Sequence, residues 1–211
     1  MSDLLESYDL SNRRDERRCV SAARNGDRKA FEILAARYLR NVYGLAVVLT
    51  GNTEEAFDVS QEALTKAFKK IRTYDFRAPF GSWLLSITRN TFRDRARKES
   101  RLKRKHEAAA THASITQENI NPETMMTLKE RALVVHEALT RIAEPFREAV
   151  HLYDIQGLSY NEISEVCDVA VGTVKSRLRR GRDALRRELI RLGLVGRSDG
   201  KGESLSRGDH E

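Results

Sequence analysis

The chain has 211 residues, with 38 Lys and Arg against 31 Asp and Glu, for a net charge of +7. That length allows one large or two small domains, and the cationic balance points to an acidic partner. Two widely spaced cysteines, five scattered histidines, no apolar run of membrane-spanning length and no glycine-rich phosphate loop or nucleophile elbow argue against a disulfide framework, a metal site, membrane insertion and common enzyme chemistries. The polar N-terminus carries no signal-peptide core, so a reducing cytoplasm, no cofactor and no catalytic residues are expected.

Helical periodicity fills most of the length, and the expected fold class is all-α. Residues 14–24 predict a short helix ending at the Asn25-Gly26 turn. Asp27 is a good N-cap for a long helix with an apolar stripe of Phe31, Leu34, Tyr38, Val42, Leu45, Ala46 and Leu49. Gly51-Asn52 ends it. The next helix starts near Asn52 or Thr53 and carries Ala56, Val59, Ala63, Leu64, Ala67, Phe68 and Ile71. A loop from Thr73 to Pro79 follows. A helix from about Phe80 to Arg97 or beyond then turns Trp83, Leu84, Ile87 and Thr91 inward, leaving Ser86, Arg89, Asn90, Arg93 and Arg97 as a polar stripe.

Composition shifts after Arg97. Residues 93–105 hold eight Lys and Arg, and 106–124, HEAAATHASITQENINPET, has almost no large apolar residue. The stretch 98–125 reads as a flexible linker, with an acidic centre at Glu107, Glu118 and Glu123. Patterning resumes near Met126 with Leu128, Ala132, Val135, Leu139 and Ile142. Pro145 suits the first position of another helix, with Phe146, Ala149, Val150 and Tyr153 inward. Two small helical domains, 14–97 and 126–195, are therefore expected, with a disordered glycine- and serine-rich tail at 196–211.

Residues 159–187 carry the most information. Ser159 followed by Glu162 is a capping-box pattern, and Ile163 and Val166 give a short helix its apolar face. Cys167 and Asp168 occupy a turn. A second helix begins near Val171, with Val171, Val174, Leu178, Gly181, Leu185 and Leu189 on one face. Thr173, Lys175, Ser176, Arg177, Arg179, Arg180 and Arg182 lie between them. Two short helices about a tight turn, the second apolar on one side and cationic on the other, form the layout of a helix-turn-helix DNA reader.

The segments LSYNEISEV and VGTVKSRLRRGRDAL resemble the promoter-reading C-terminal domain of bacterial sigma factors. EEAFDVSQEALTKAFKKI followed by FRAPFGSWLLSITRNTFRDRARK resembles the polymerase-binding and promoter-melting domain of their extracytoplasmic-function (ECF) subfamily. The two blocks stand in the family's order with its short gap, and the resemblance covers about residues 14–190. Ala170 stands where many relatives have proline before the recognition helix.

The resemblance implies a partner set of core RNA polymerase, promoter DNA and an anti-sigma factor. It implies that Lys175, Ser176, Arg179 and Arg180 face the major groove of the −35 element, where arginine pairs bidentately with guanine. Gly172 and Thr173, at the helix start, and Arg177 are expected on phosphate. Phe76, Arg77, Phe80, Arg89, Asn90 and Arg93 are implied to engage the melted non-template strand of the −10 element. There Asn90 offers a donor and an acceptor to an extruded base edge, and the phenylalanines either offer stacking surfaces or pack in the core. Asp58, Gln61, Glu62 and Thr65 are implied to dock on the polymerase clamp helices, and the acidic linker to thread toward the polymerase cleft. The alternative is a stand-alone regulator that binds an operator through its helix-turn-helix without polymerase.

Overall fold

The computed structural model describes residue 10, residues 12–106 and residues 128–194. Glu107, Glu118 and Glu123 and the 196–211 tail lie outside the described residues. Eight α-helices and no strand occur among the described residues: α1 (Arg13–Arg24), α2 (Arg28–Thr50), α3 (Thr53–Lys70), α4 (Phe80–His106), α5 (Leu128–Thr140), α6 (Glu144–Val150), α7 (Tyr160–Cys167) and α8 (Val171–Arg191). None of them is long and apolar enough to cross a membrane.

Local chemistry sets the boundaries. Asn12, Asp27 and Asn52 each accept hydrogen bonds from orphan amides at the start of α1, α2 and α3. Gly51 ends α2 with φ 68°, a left-handed turn in which an L side chain is strained. Glu54 and Glu55 open α3 while Lys69 and Lys70 close it, matching the helix dipole at both ends. α4 continues to His106, so most of the basic run 93–105 belongs to the helix and not to a linker. Residues 82–121 hold no glycine or proline, and Lys and Arg are good helix formers. Pro145 is the second residue of α6, still within the first turn, where a missing N–H costs nothing. A π-helical turn, His151–Ile155, carries the chain to Gly157, whose φ of 75° reverses it into α7.

α1 to α4 enclose one core built on Cys19, Phe31, Leu34, Val42, Ala63, Phe80 and Leu84. A second core holds Leu139, Ile142, Val150, Leu152, Ile163, Val166, Val174 and Leu178 from α5 to α8 and the turn after α6. Leu45 and Leu49 of α2 and Leu85 of α4 belong to this second cluster, so the two halves are packed against each other. Each buried leucine there contributes about 2 kcal/mol of hydrophobic transfer energy. Polar contacts cross the same seam. Arg147 Nη2 donates to the Leu49 carbonyl at 2.7 Å, Gln156 Nε2 to the Asn41 carbonyl at 3.0 Å, and Arg89 Nε to Glu148 Oε1 at 2.6 Å.

α6 and α8 pack tightly because position 181 is glycine. A Cβ there would lie 2.7 Å from both the Phe146 carbonyl oxygen and Val150 Cγ2. Gly181 is thus a packing residue within the apolar face of α8.

Candidate nucleic-acid interface

The helix-turn-helix is built from local bonds. Glu162 Oε2 accepts from the Ser159 amide at 2.8 Å, and the Glu162 amide donates back to Ser159 Oγ at 3.3 Å, which completes the capping box. Asp168 adopts φ 51° in the turn, a left-handed conformation that Asp tolerates better than most residues. Ser164 Oγ donates to the Val169 carbonyl at 2.6 Å and ties the turn to α7. α8 then buries Val174, Leu178 and Gly181, which fixes the azimuth of everything else on it.

Gly172, Lys175, Ser176, Arg179 and Arg180 are exposed, and Thr173 is half-buried. α8 has no side-chain cap at Ala170; the Thr173 amide donates to the Ala170 carbonyl at 2.8 Å, which leaves the amides before it, Gly172 included, open to an anion. Ser176 Oγ donates to the Thr173 carbonyl at 2.9 Å, which leaves it to act as an acceptor. Two arginines of the helix leave this face. Arg182 grips Asp154 through Nε at 3.0 Å and Nη2 at 2.6 Å and covers the Tyr153 ring. Arg177, expected on phosphate, is half-buried, and its Nη1 is buried with no hydrogen-bond partner. Its position borders Val174, Leu178 and Gly181, so the helical period turns it toward the protein.

The loop before α4 is the second site. Phe76 is held at φ 62°, a strained backbone for a bulky residue that costs about 1–3 kcal/mol. The loop restrains it there: the Tyr74 hydroxyl donates to the Ala78 carbonyl at 2.6 Å, and Asp75 accepts from the Arg77 amide at 3.1 Å. The Tyr74 ring lies 4.9 Å from that of Phe76, and the guanidiniums of Arg17 and Arg24 stand 5.4 and 5.2 Å over it. Phe76 overlooks a cleft of about 350 Å³ lined by Arg17, Tyr38, Tyr74, Phe80 and Glu162 among others. Tyr38 donates to Glu16 Oε2 at 2.9 Å, and burial pushes its phenol above the usual range; burial also raises Tyr74 to about 12.

The structure divides the residues expected on the melted strand. Arg77 and Asn90 are exposed, and Phe76 and Arg93 half-buried. Phe80 is buried between Tyr38, Tyr74 and Trp83, with ring centroids at 5.5, 5.7 and 5.5 Å, and belongs to the core. Arg89 is only 1% exposed and is paired with Glu148 of α6. Burial raises the Glu148 carboxyl above its usual range, although the Arg89 guanidinium pulls it down. Arg17, Tyr38 and Tyr74 join this site without any signal in local spacing, because α1, α2 and the loop meet only in the fold.

A third surface lies on α3. Asp58, Gln61 and Thr65 are exposed and Glu62 half-buried. Arg95 of α4 reaches Asp58 at 3.2 Å and Glu62 at 3.4 Å, and Lys66 reaches Glu62 at 2.8 Å. The hydrogen bond from Lys66 holds the Glu62 carboxyl below its usual range. The sequence pattern had not marked Phe57, which is 57% exposed beside these residues. An apolar ring within a polar rim is the composition of a docking surface. Among the described residues no group of three or more His, Cys, Asp or Glu is placed to hold a metal ion.

Two sequence-family models match the chain: sigma-70 region 2 over residues 34–102 and sigma-70 region 4 over residues 132–185. The ECF RNA polymerase sigma factor SigW of Bacillus subtilis is 31% identical over 176 residues, covering 81% of this chain and 94% of SigW. The chain belongs to the ECF sigma factors of RNA polymerase. The ECF sigma-E factor of Escherichia coli K12 is 32% identical over 174 residues, covering 79% of this chain and 90% of its own. Among solved structures, the sigma factor RpoE of Bartonella quintana, in complex with the anti-sigma factor NepR, superposes with a TM-score of 0.63 at 27% identity. That match covers 80% of this chain and 99% of RpoE. Both halves of this sigma factor therefore have family counterparts, and the operator-binding regulator is set aside.

Proposed function

We propose that this sigma factor reads its promoter at two points. α8 enters the major groove of the −35 element with Lys175, Ser176, Arg179 and Arg180 toward base edges. The Gly172 amide and the Thr173 hydroxyl take a phosphate, and Arg177 reaches DNA only if it swings out of its half-buried place. On the downstream side the loop carrying Phe76 and Arg77, with Asn90 and Arg93 of α4, holds the melted non-template strand of the −10 element. Arg89 joins that contact once it is free of Glu148. Asp58, Gln61, Glu62 and Thr65 form the rim of the surface that meets core polymerase, with Phe57 at its centre. The functional units are α1–α4 and α5–α8, joined by residues 107–127.

The protein works in the cytoplasm, without catalysis of its own, and takes an anti-sigma factor as a further partner. The observation that carries the reading is the continuous exposed face Lys175–Ser176–Arg179–Arg180 on a capped helix-turn-helix. The test mixes the purified chain with core RNA polymerase and a library of linear promoters and maps transcript 5′ ends. The reading expects initiation only from templates sharing two spaced elements, and only with both proteins present. Specific duplex binding without initiation contradicts it.

A further inference from the structure

We propose that the cavity between α2, α5 and the π-helical turn His151–Ile155 is a ligand site. Its occupant is a small uncharged aliphatic molecule with one carbonyl, of the medium-chain ketone, ester or lactone kind, whose oxygen accepts from His151. The site is separate from the surfaces assigned to DNA and to polymerase.

The cavity holds about 470 Å³, within the range of small-molecule sites. Val47 and Val48 of α2, Val135 and Leu139 of α5 and Ile155 make its wall apolar. Tyr43 and Ile155 are 36% and 56% exposed, so the apolar surface continues outward to solvent. No Asp, Glu, Lys or Arg stands among the described residues that line it. The two histidines that do are neutral at pH 7. Burial holds His151 down to about 4, and burial with the charge of Arg147 adding holds His136 below the usual range. A charged ligand would lose its hydration there without gaining a counter-charge.

His151 supplies the polar anchor. Gln156 Nε2 donates to the Asn41 carbonyl at 3.0 Å, and Asn41 Nδ2 donates to Gln156 Oε1 at 3.4 Å, which together fix the orientation of the Gln156 amide. The same Nε2 lies 2.7 Å from His151 Nε2, which is therefore the acceptor of that pair. The imidazole proton then sits on Nδ1. His151 is only 5% exposed, and its Nδ1 is buried with no hydrogen-bond partner. A buried donor left unpaired is costly, and an acceptor brought by a ligand removes the cost. A carbonyl oxygen does so without adding a donor that would itself need a partner in an apolar wall.

Gly44 is an independent observation. A glycine inside α2 weakens the helix relative to alanine. Gly81 and Gly181 are required by packing, since a Cβ at either would lie 2.7 Å from a neighbour. At Gly44 a Cβ would meet only the edge of the His151 ring, with Cε1 and Nε2 both at 3.5 Å, an ordinary contact. Packing does not demand glycine there. What the missing side chain leaves is room beside His151, in the cavity whose wall Gly44 shares.

The experiment titrates 2-nonanone into the full chain carrying isotope-labelled histidine and follows the His151 Nδ1–H signal by NMR. The signal is expected to move downfield and to saturate with a Kd of about 1 mM or tighter. Nonanoate and nonylammonium, of the same chain length but charged, should bind about tenfold more weakly or not at all. Gly44→Leu, which fills the space beside His151, should weaken the binding of 2-nonanone by about tenfold or more. Ile155→Glu, which sets a charge at the exposed edge, should weaken it by about threefold, and keeps the test decisive if Gly44→Leu does not fold. The absence of a saturable shift at His151 overturns the proposal. So does either charged probe binding as tightly as 2-nonanone, or Gly44→Leu, or Ile155→Glu in its place, binding 2-nonanone as wild type does.

Discussion

α8 and α4 are both proposed to meet DNA through arginines, but the fold treats them in opposite ways. α8 buries Val174, Leu178 and Gly181 and leaves Lys175, Ser176, Arg179 and Arg180 in water. It is a rigid probe of fixed shape, suited to duplex DNA, whose groove exists before the protein arrives. α4 has its central arginine locked to Glu148, while the neighbouring loop is strained at Phe76 and lies over a cleft that Glu162 of α7 helps to line. It is suited to a ligand that does not exist until the duplex is melted. The difference teaches that a ready surface and a conditional one can share a single compact body.

The largest expected effect tests what keeps α8 rigid. Leu178→Ala removes the platform beneath the exposed face and should lower stability by about 2–5 kcal/mol. Chemical denaturation monitored by circular dichroism reads this, and a loss under 1 kcal/mol means that α8 is not anchored as described. The seam gives the next effect. Burial, with the charge of His136 adding, holds the His151 imidazole down to about 4. A folded-state value below the ordinary one means that its contribution to stability is complete above pH 6.5 and is lost as pH falls toward 4, by up to about 3 kcal/mol. Glu148, raised by burial, acts with the opposite sign as it takes up a proton. The stability advantage of wild type over His151→Gln should therefore shrink between pH 7 and pH 4.5; an advantage that stays flat refutes a buried neutral His151.

Arg180→Ala should weaken binding at one −35 base pair by about 1–3 kcal/mol and relax preference there. Equal losses over all −35 variants would show a phosphate contact instead. The smallest effect concerns the turn. Asp168→Gly relieves a left-handed non-glycine residue and should raise stability by up to about 1 kcal/mol while leaving promoter preference unchanged. A lower melting temperature contradicts that view of the turn.

Legibility in the sequence followed the range of the interaction. The caps at Asp27 and Asn52 and the Ser159–Glu162 box are bonds between residues two or three apart, and each was readable as a pattern. The cationic face of α8 was readable because helical period alone separates it from Val174 and Leu178. The burial of Arg89 was not, because its partner Glu148 lies 59 residues away and only the packing of α6 on α4 brings them together. The same holds for Arg17, Tyr38 and Tyr74 around Phe76. The split of α2, with Leu34 and Val42 in one core and Leu45 and Leu49 in the other, is likewise hidden in what reads as one continuous stripe. The extent of α4 was obscured for another reason: a run of like charges looks like a boundary in composition, yet it satisfies every local requirement of a helix.

The contrast between a ready duplex reader and a conditional strand reader is tested most directly by photo-crosslinking. A benzophenone amino acid is placed at position 76 or at position 180 in the protein assembled with core polymerase on a promoter. The account predicts that position 180 crosslinks to the −35 duplex both before and after melting. It predicts that position 76 crosslinks to the non-template −10 strand only once the complex has opened. Crosslinking from position 76 to unmelted duplex, or none from position 180 in either state, would contradict it.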